Sequence, residues 1–256
     1  MNRKKNFIIF VVVAIGIMLV LRQFILSMPF VMGVTYVLLI GIYLATSLYR
    51  RSKRIALLND RCDPEAFMNI TIQQEALTGK NKKNQAILQL DKAAAYLCMG
   101  EDEKALATLL SIQEQFIKNP QLKIVHTINL ILAYYATGDI ESAERIYEQE
   151  IGLLLPTNRQ MKRALQILTG ERYYYIGKHK ECIDYFEAFL KQASVQKAMH
   201  KRQYAGINYV MALSNIELEN QQKAEKQLQK VLENGHKLAI VNEAKLRLSE
   251  ISAVTS

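Results

Sequence analysis

The sequence predicts an all-α fold: an N-terminal two-helix transmembrane hairpin, then a stack of about four helix-turn-helix repeats closed by a C-terminal capping helix. Three observations predict it. Residues 1–49 hold no Asp or Glu and only four basic residues, Arg3, Lys4, Lys5 and Arg22, while all 24 acidic side chains lie beyond them. Two apolar runs, 7–26 and 30–49, fill that leader. After it, a pattern of small residues, tyrosines and glycines recurs four times.

Each run is 20 residues long, close to the ~20 that cross ~30 Å of hydrocarbon as a helix. Lipid offers the backbone no hydrogen-bond partner, so an isolated span must be helical. Ser27, Met28 and Pro29 separate the runs, and proline disfavours helix at the residue before it. A cleaved secretory signal and a single bent span are the alternative readings. No small-x-small cleavage site follows the first run. Basic residues precede the first run, and Arg50, Arg51, Lys53 and Arg54 follow the second. By the positive-inside rule both flanks stay cytoplasmic, giving a multi-pass cell-membrane protein whose C-terminal region faces the cytoplasm.

The charge follows the same division. The formal net charge is +9, but from residue 55 onward 25 basic side chains face 24 acidic ones. The basicity belongs to the membrane flanks, which argues against a nucleic-acid partner. The three cysteines, Cys62, Cys98 and Cys182, lie far apart without CxxC spacing and are expected as free thiols. No paired histidines, GxSxG, phosphate-cradling glycine loop or dinucleotide fingerprint occurs. The sequence therefore predicts no catalytic residues, no metal, no cofactor and no small-molecule substrate. Three regions follow: the hairpin over 1–49, a basic juxtamembrane segment with a linking helix over 50–84, and a repeat region over 85–252. Asp63-Pro64-Glu65 reads as an N-cap with proline at the first helical position, so the linking helix covers 64–78. The run 79–84, GKNKKN, reads as a polar break. The apolar spacing over 238–251 predicts the capping helix, with 253–256 frayed.

The repeats align over 93–112, 131–151, 170–190 and 212–232. The first position is Ala93, Ile131, Gly170 and Ala212, and three residues on stand Tyr96, Tyr134, Tyr173 and Asn215. The break is Gly100, Gly138, Gly177 and Glu219. Five residues later come Ala105, Ala143, Cys182 and Ala224, followed by Leu109, Tyr147, Phe186 and Leu228. Glycine ends the first helix because it enters the left-handed conformation cheaply. The small residue lets the two backbones cross closely, and the bulky one faces the neighbouring pair. Such a pair cannot bury its own face, but a stack can.

This pattern resembles the tetratricopeptide repeat family, in a membrane-anchored, bacterial-type form, over roughly 86–250. The chain has no tryptophan, Glu219 replaces the fourth glycine, and the small residue recurs after 38, 39 and 42 residues, against ~34 in the family. Longer helices or loops would account for the excess. The resemblance implies an α-solenoid whose first helices line a groove. Here that groove would hold Asp91, Asn129, Tyr135, Glu171, Tyr174, Tyr175, Tyr209 and Glu217. The lysines and arginines with which some family members clamp a carboxylate are missing from those positions. The resemblance thus implies a membrane-tethered scaffold that takes an apolar or basic protein or peptide. An accessory subunit that meets a membrane complex through its hairpin is the alternative.

Overall fold

A computed structural model describes residues 12–17, 19, 29–79 and 81–255. Among them no strand occurs, and helices follow one another from end to end. The first predicted span lies mostly outside the described residues; within it, 12–17 and 19 are helical. The Ser27–Met28 part of the expected turn also lies outside them.

Helix α1 (Pro29–Asn59) is a single run of 31 residues, about 46 Å long at 1.5 Å per residue. Its stretch Gly33–Asn59 is long and apolar enough to cross a membrane, the one such helix among the described residues. Val37, Leu38, Ile40, Ile42, Leu44 and Leu48 are all exposed, so none of the described residues covers this face. The composition break at residue 50 is not a structural break. Nothing from Ile42 to Asn59 is glycine or proline, so the helix continues past the change in charge for another two and a half turns. It stops where Cys62 turns left-handed, with φ of 50°. The N–H groups of Arg61 and Asp63 bond back to the carbonyls of Ala56 and Leu57.

The end of α1 is built into the folded body. Arg54 is 6 % exposed and its Nη2 lies 2.7 Å from Asp91 Oδ2. Its guanidinium also sits over the Phe67 ring at 5.4 Å. Helix α2 (Pro64–Thr78) runs back along α1 and starts as predicted, with the Asp63 carboxylate accepting the Ala66 N–H. Leu58, Phe67, Met68 and Ala95 form the core between α1, α2 and α3 (Lys82–Met99). The polar break is shorter than 79–84, because Asn81 caps α3 by accepting the Asn84 N–H and so recruits Lys82 and Lys83 into its first turn.

Four antiparallel pairs follow. They are α3 with α4 (Asp102–Leu110), α5 (Pro120–Ala136) with α6 (Ile140–Glu150), and α7 (Arg159–Tyr175) with α8 (His179–Leu190). After a short α9 (Ala193–Gln196) comes α10 (Lys201–Glu217) with α11 (Gln221–Gly235), and then α12 (Ala239–Thr255). All four turns use one conformation: φ is 71° at Gly100, 82° at Gly138, 75° at Gly177 and 58° at Glu219. Glu219 takes the glycine's place and its geometry too. Ala105, Ala143, Cys182 and Ala224 are each wholly buried. The extra residues per repeat lie between the pairs, in 3₁₀ turns Glu114–Phe116 and Ile151–Leu153 and in α9.

The first helices pack in sequence, α3 on α5, α5 on α7 and α7 on α10. The C-terminal helices also meet the N-terminal ones. Helix α10 touches α1, and α12 touches α3. Arg202 Nε donates to Asn59 Oδ1 at 3.0 Å, His200 Nδ1 lies 2.8 Å from Asp60 Oδ1, and Lys237 Nζ lies 2.7 Å from Asp63 Oδ2. Cys62 is buried with Ala205, Leu228, Val231 and Leu238 in one cluster that joins the two ends. The capping helix thus does more than cover one end, and it stays helical to Thr255 rather than fraying at 253.

Candidate functional site

The pairing order brings tyrosines and carboxylates from five helices to one place. Tyr135 of α5 stacks on Tyr175 of α7, with ring centroids 4.4 Å apart and planes within 2°. Tyr174 meets Tyr175 edge-on at 5.1 Å and lies 5.7 Å from the His179 ring. The Tyr209 hydroxyl of α10 donates to Glu243 of α12. Glu243 also bears on Asp102 at the start of α4 and on Tyr174 and Tyr175. Helix α12 therefore turns Glu243 and Arg247 toward the tyrosines of α7 and α10.

The electrostatics of this cluster lean acidic. Burial raises Tyr174, and the nearby Glu217 raises it further. Tyr175 is pushed up by burial and then by Glu171. Burial likewise pushes Tyr209 up, with the Glu243 hydrogen bond adding to it. Glu171 keeps part of its surface open, yet enough protein surrounds it that burial lifts its carboxyl to about 7, with Arg202 pulling the other way. Asp102 is raised by burial and by Glu243. Four carboxyls, Asp102, Glu171, Glu217 and Glu243, share the site with two guanidinium groups, Arg202 and Arg247. Such a surface suits a basic or apolar segment, because an incoming cation would relieve the carboxylates it meets.

Tyr135 is anchored rather than presented. It is 3 % exposed, and its hydroxyl donates to Glu144. Arg172 grips the same carboxylate, with Nε 2.8 Å from Oε1 and 3.0 Å from Oε2, and stacks over Tyr147 at 4.5 Å. Burial works against the Glu144 charge, but the bonds from Arg172 and Tyr135 outweigh it and hold this group below its ordinary range. Burial then raises Tyr135 itself.

The eight sequence-derived residues thus divide. Tyr174, Tyr209, Glu171 and Glu217 converge, with Tyr135 and Tyr175 forming the packed wall behind them. Asn129 is half-buried on α5, with its Nδ2 left without a partner among the described residues. Asp91 belongs elsewhere: its charged neighbours are Arg54 and Arg51, and burial raises its carboxyl while Arg54 draws it down. Glu243, Arg247, Asp102 and Arg202 escaped the sequence reading. Each comes from outside the groove-lining positions that the repeat pattern marks, and nothing local in the sequence signals where they meet. No family model, curated protein or solved structure matches this chain, so the resemblance to tetratricopeptide repeats rests on the residues named above.

Proposed function

We propose that this chain is a membrane-tethered scaffold whose tetratricopeptide-like solenoid offers a tyrosine- and carboxylate-lined groove to an apolar or basic protein segment in the cytosol. The convergence of Tyr174, Tyr209, Glu171, Glu217 and Glu243 from α7, α10 and α12 is the observation that carries this reading. Aromatic side chains give large contact area at low entropy cost, and surrounding charge selects the partner's sign. In this reading 7–26 and 30–49 form the two-span anchor, with both termini cytoplasmic.

The test replaces exposed charge and leaves the packed wall intact. A photo-crosslinker at Tyr174 in the full chain, in native membranes, should give discrete adducts. The double variant Glu217→Lys and Glu243→Lys should lower their yield at least about tenfold, since like charge at an interface costs several kcal/mol. Undiminished adducts would sink the groove. Exchanging residues 1–49 for an unrelated two-span anchor should preserve them; their loss would favour the accessory-subunit reading.

A further inference from the structure

The strongest unassigned feature lies where α1 enters the folded body. A cavity of about 710 Å³ opens between α1 and the α2–α3 hairpin. That volume falls within the ~300–1,000 Å³ of small-molecule sites. One stripe of α1 forms its near wall: Tyr43, Ser47, Arg50, Arg54 and Leu57, spaced alternately four and three residues apart. Such spacing keeps all five on one helical face. Leu77 and Ile87 supply an apolar wall opposite.

The charge in this cavity is one-sided. Arg50, Arg51 and Lys53 border it and are exposed, and no Asp or Glu lines it. Of the carboxylates on α2 and α3 nearest in sequence to this wall, Asp91 is paired with Arg54 at the floor and lies near Arg51, and Glu75 is tied to Lys92 and Gln89. None of the ion pairs among the described residues uses Arg50, Arg51 or Lys53. At the bottom, Arg54 is more than nine-tenths buried, and its Nε is buried without an acceptor among the described residues. A buried guanidinium N–H without an acceptor favours an anionic oxygen that can reach it. Lys82 and Lys83, exposed in the first turn of α3, extend the basic rim beside Asn84.

The position matters as much as the charge. Tyr43, Thr46 and Ser47 belong to the uncharged run that reads as a span, and the cations begin one turn later. The mouth of the cavity therefore sits at the level where hydrocarbon gives way to phosphate. We propose that this cavity seats the headgroup of one anionic phospholipid, its phosphate held by Arg50, Arg51 and Lys53 and the start of an acyl chain lying against Leu77 and Ile87. The seat rests on the reading of α1 as a membrane span. Guanidinium groups grip phosphate through paired N–H donors, which a choline headgroup's own cation would oppose.

The experiment uses the full chain in bilayers of equal phosphatidylcholine and phosphatidylglycerol, released gently and weighed by native mass spectrometry. One phosphatidylglycerol should stay bound per chain, enriched about tenfold over phosphatidylcholine. The triple variant Arg50→Gln, Arg51→Gln, Lys53→Gln should lose that enrichment while remaining in the membrane on carbonate washing. Gln73→Trp, which fills the cavity from its exposed rim and keeps every charge, should lose it as well. Full enrichment in the triple variant overturns the proposal, and so does full enrichment in Gln73→Trp, which would mean only a charged surface. Displacement by millimolar inorganic phosphate would reduce the site to one for free phosphate and overturn the lipid as occupant. Carbonate extraction of the unaltered chain would instead remove the membrane reading, and the seat with it; an inserted chain without lipid preference removes the seat alone.

Discussion

Gly170 has no room for a side chain. A Cβ there would lie 2.4 Å from the Phe186 ring, the bulky residue of its own repeat. Phe186 is wholly buried and cannot swing away. Gly170→Ala should therefore destabilise the chain by about 1–3 kcal/mol through overpacking, seen as a lower melting temperature in detergent with helix content retained. Glu219 gives the opposite expectation. It holds φ at 58° where the other three turns have glycine, and a left-handed L-residue costs roughly 1 kcal/mol or more. Glu219→Gly should raise stability by up to about 1 kcal/mol, the gain being trimmed by glycine's larger unfolded-state entropy. A melting temperature lower than the parent's would show that this turn needs the Glu219 side chain. These positions were legible because a turn residue and its small neighbour act within a dozen residues of chain. Ion pairs such as Arg54 with Asp91, 37 residues apart, and Glu144 with Arg172, 28 apart, leave no such local mark.

At the scale of the element, α7 carries the group through which stability responds to pH. Glu171 on α7 carries a carboxyl raised to about 7 from an ordinary 4.5. Between those values the folded chain keeps the proton and the unfolded chain releases it. Its contribution to stability is therefore full below about pH 4.5 and declines as pH rises to about 7, a swing on the order of 1–3 kcal/mol. Glu171→Gln should flatten that part of the profile and stabilise the chain at pH 8, as read from urea midpoints across pH. A parallel profile for parent and variant would remove Glu171 as the cause. The existence of α12 was readable from apolar spacing over 238–251, but its placement was not. Val241 and Ala244 bury against Leu228 and Val231, and that fixes which way Glu243 and Arg247 point. Packing between elements, rather than periodicity within one, sets that direction.

For the whole molecule, the sequence carries the all-helical class, the four turns and the apolar leader. It does not carry the meeting of the two ends of the helical body. That contact depends on Asn59, Asp60 and Asp63 finding Arg202, His200 and Lys237 across 140 or more residues. Periodic patterns describe neighbours in a stack and are silent about its two ends. The leader's topology is open to direct measurement. A reporter enzyme fused after residue 256 should be active only inside the cell, and so should one fused at the N-terminus. Activity of the C-terminal fusion outside would replace the hairpin with a single crossing.

Helix α1 passes from its apolar run to the Arg54–Asp91 pair as one uninterrupted helix. A body joined through a continuous helix has no loop there at which to swivel. With α1 anchored as proposed, the body would not wander on a leash in search of ligands, and its mouth would be held at one height and one heading above the bilayer. Whatever docks there would then approach from a restricted angle, and a tilt of the helix in the lipid would turn the body with it.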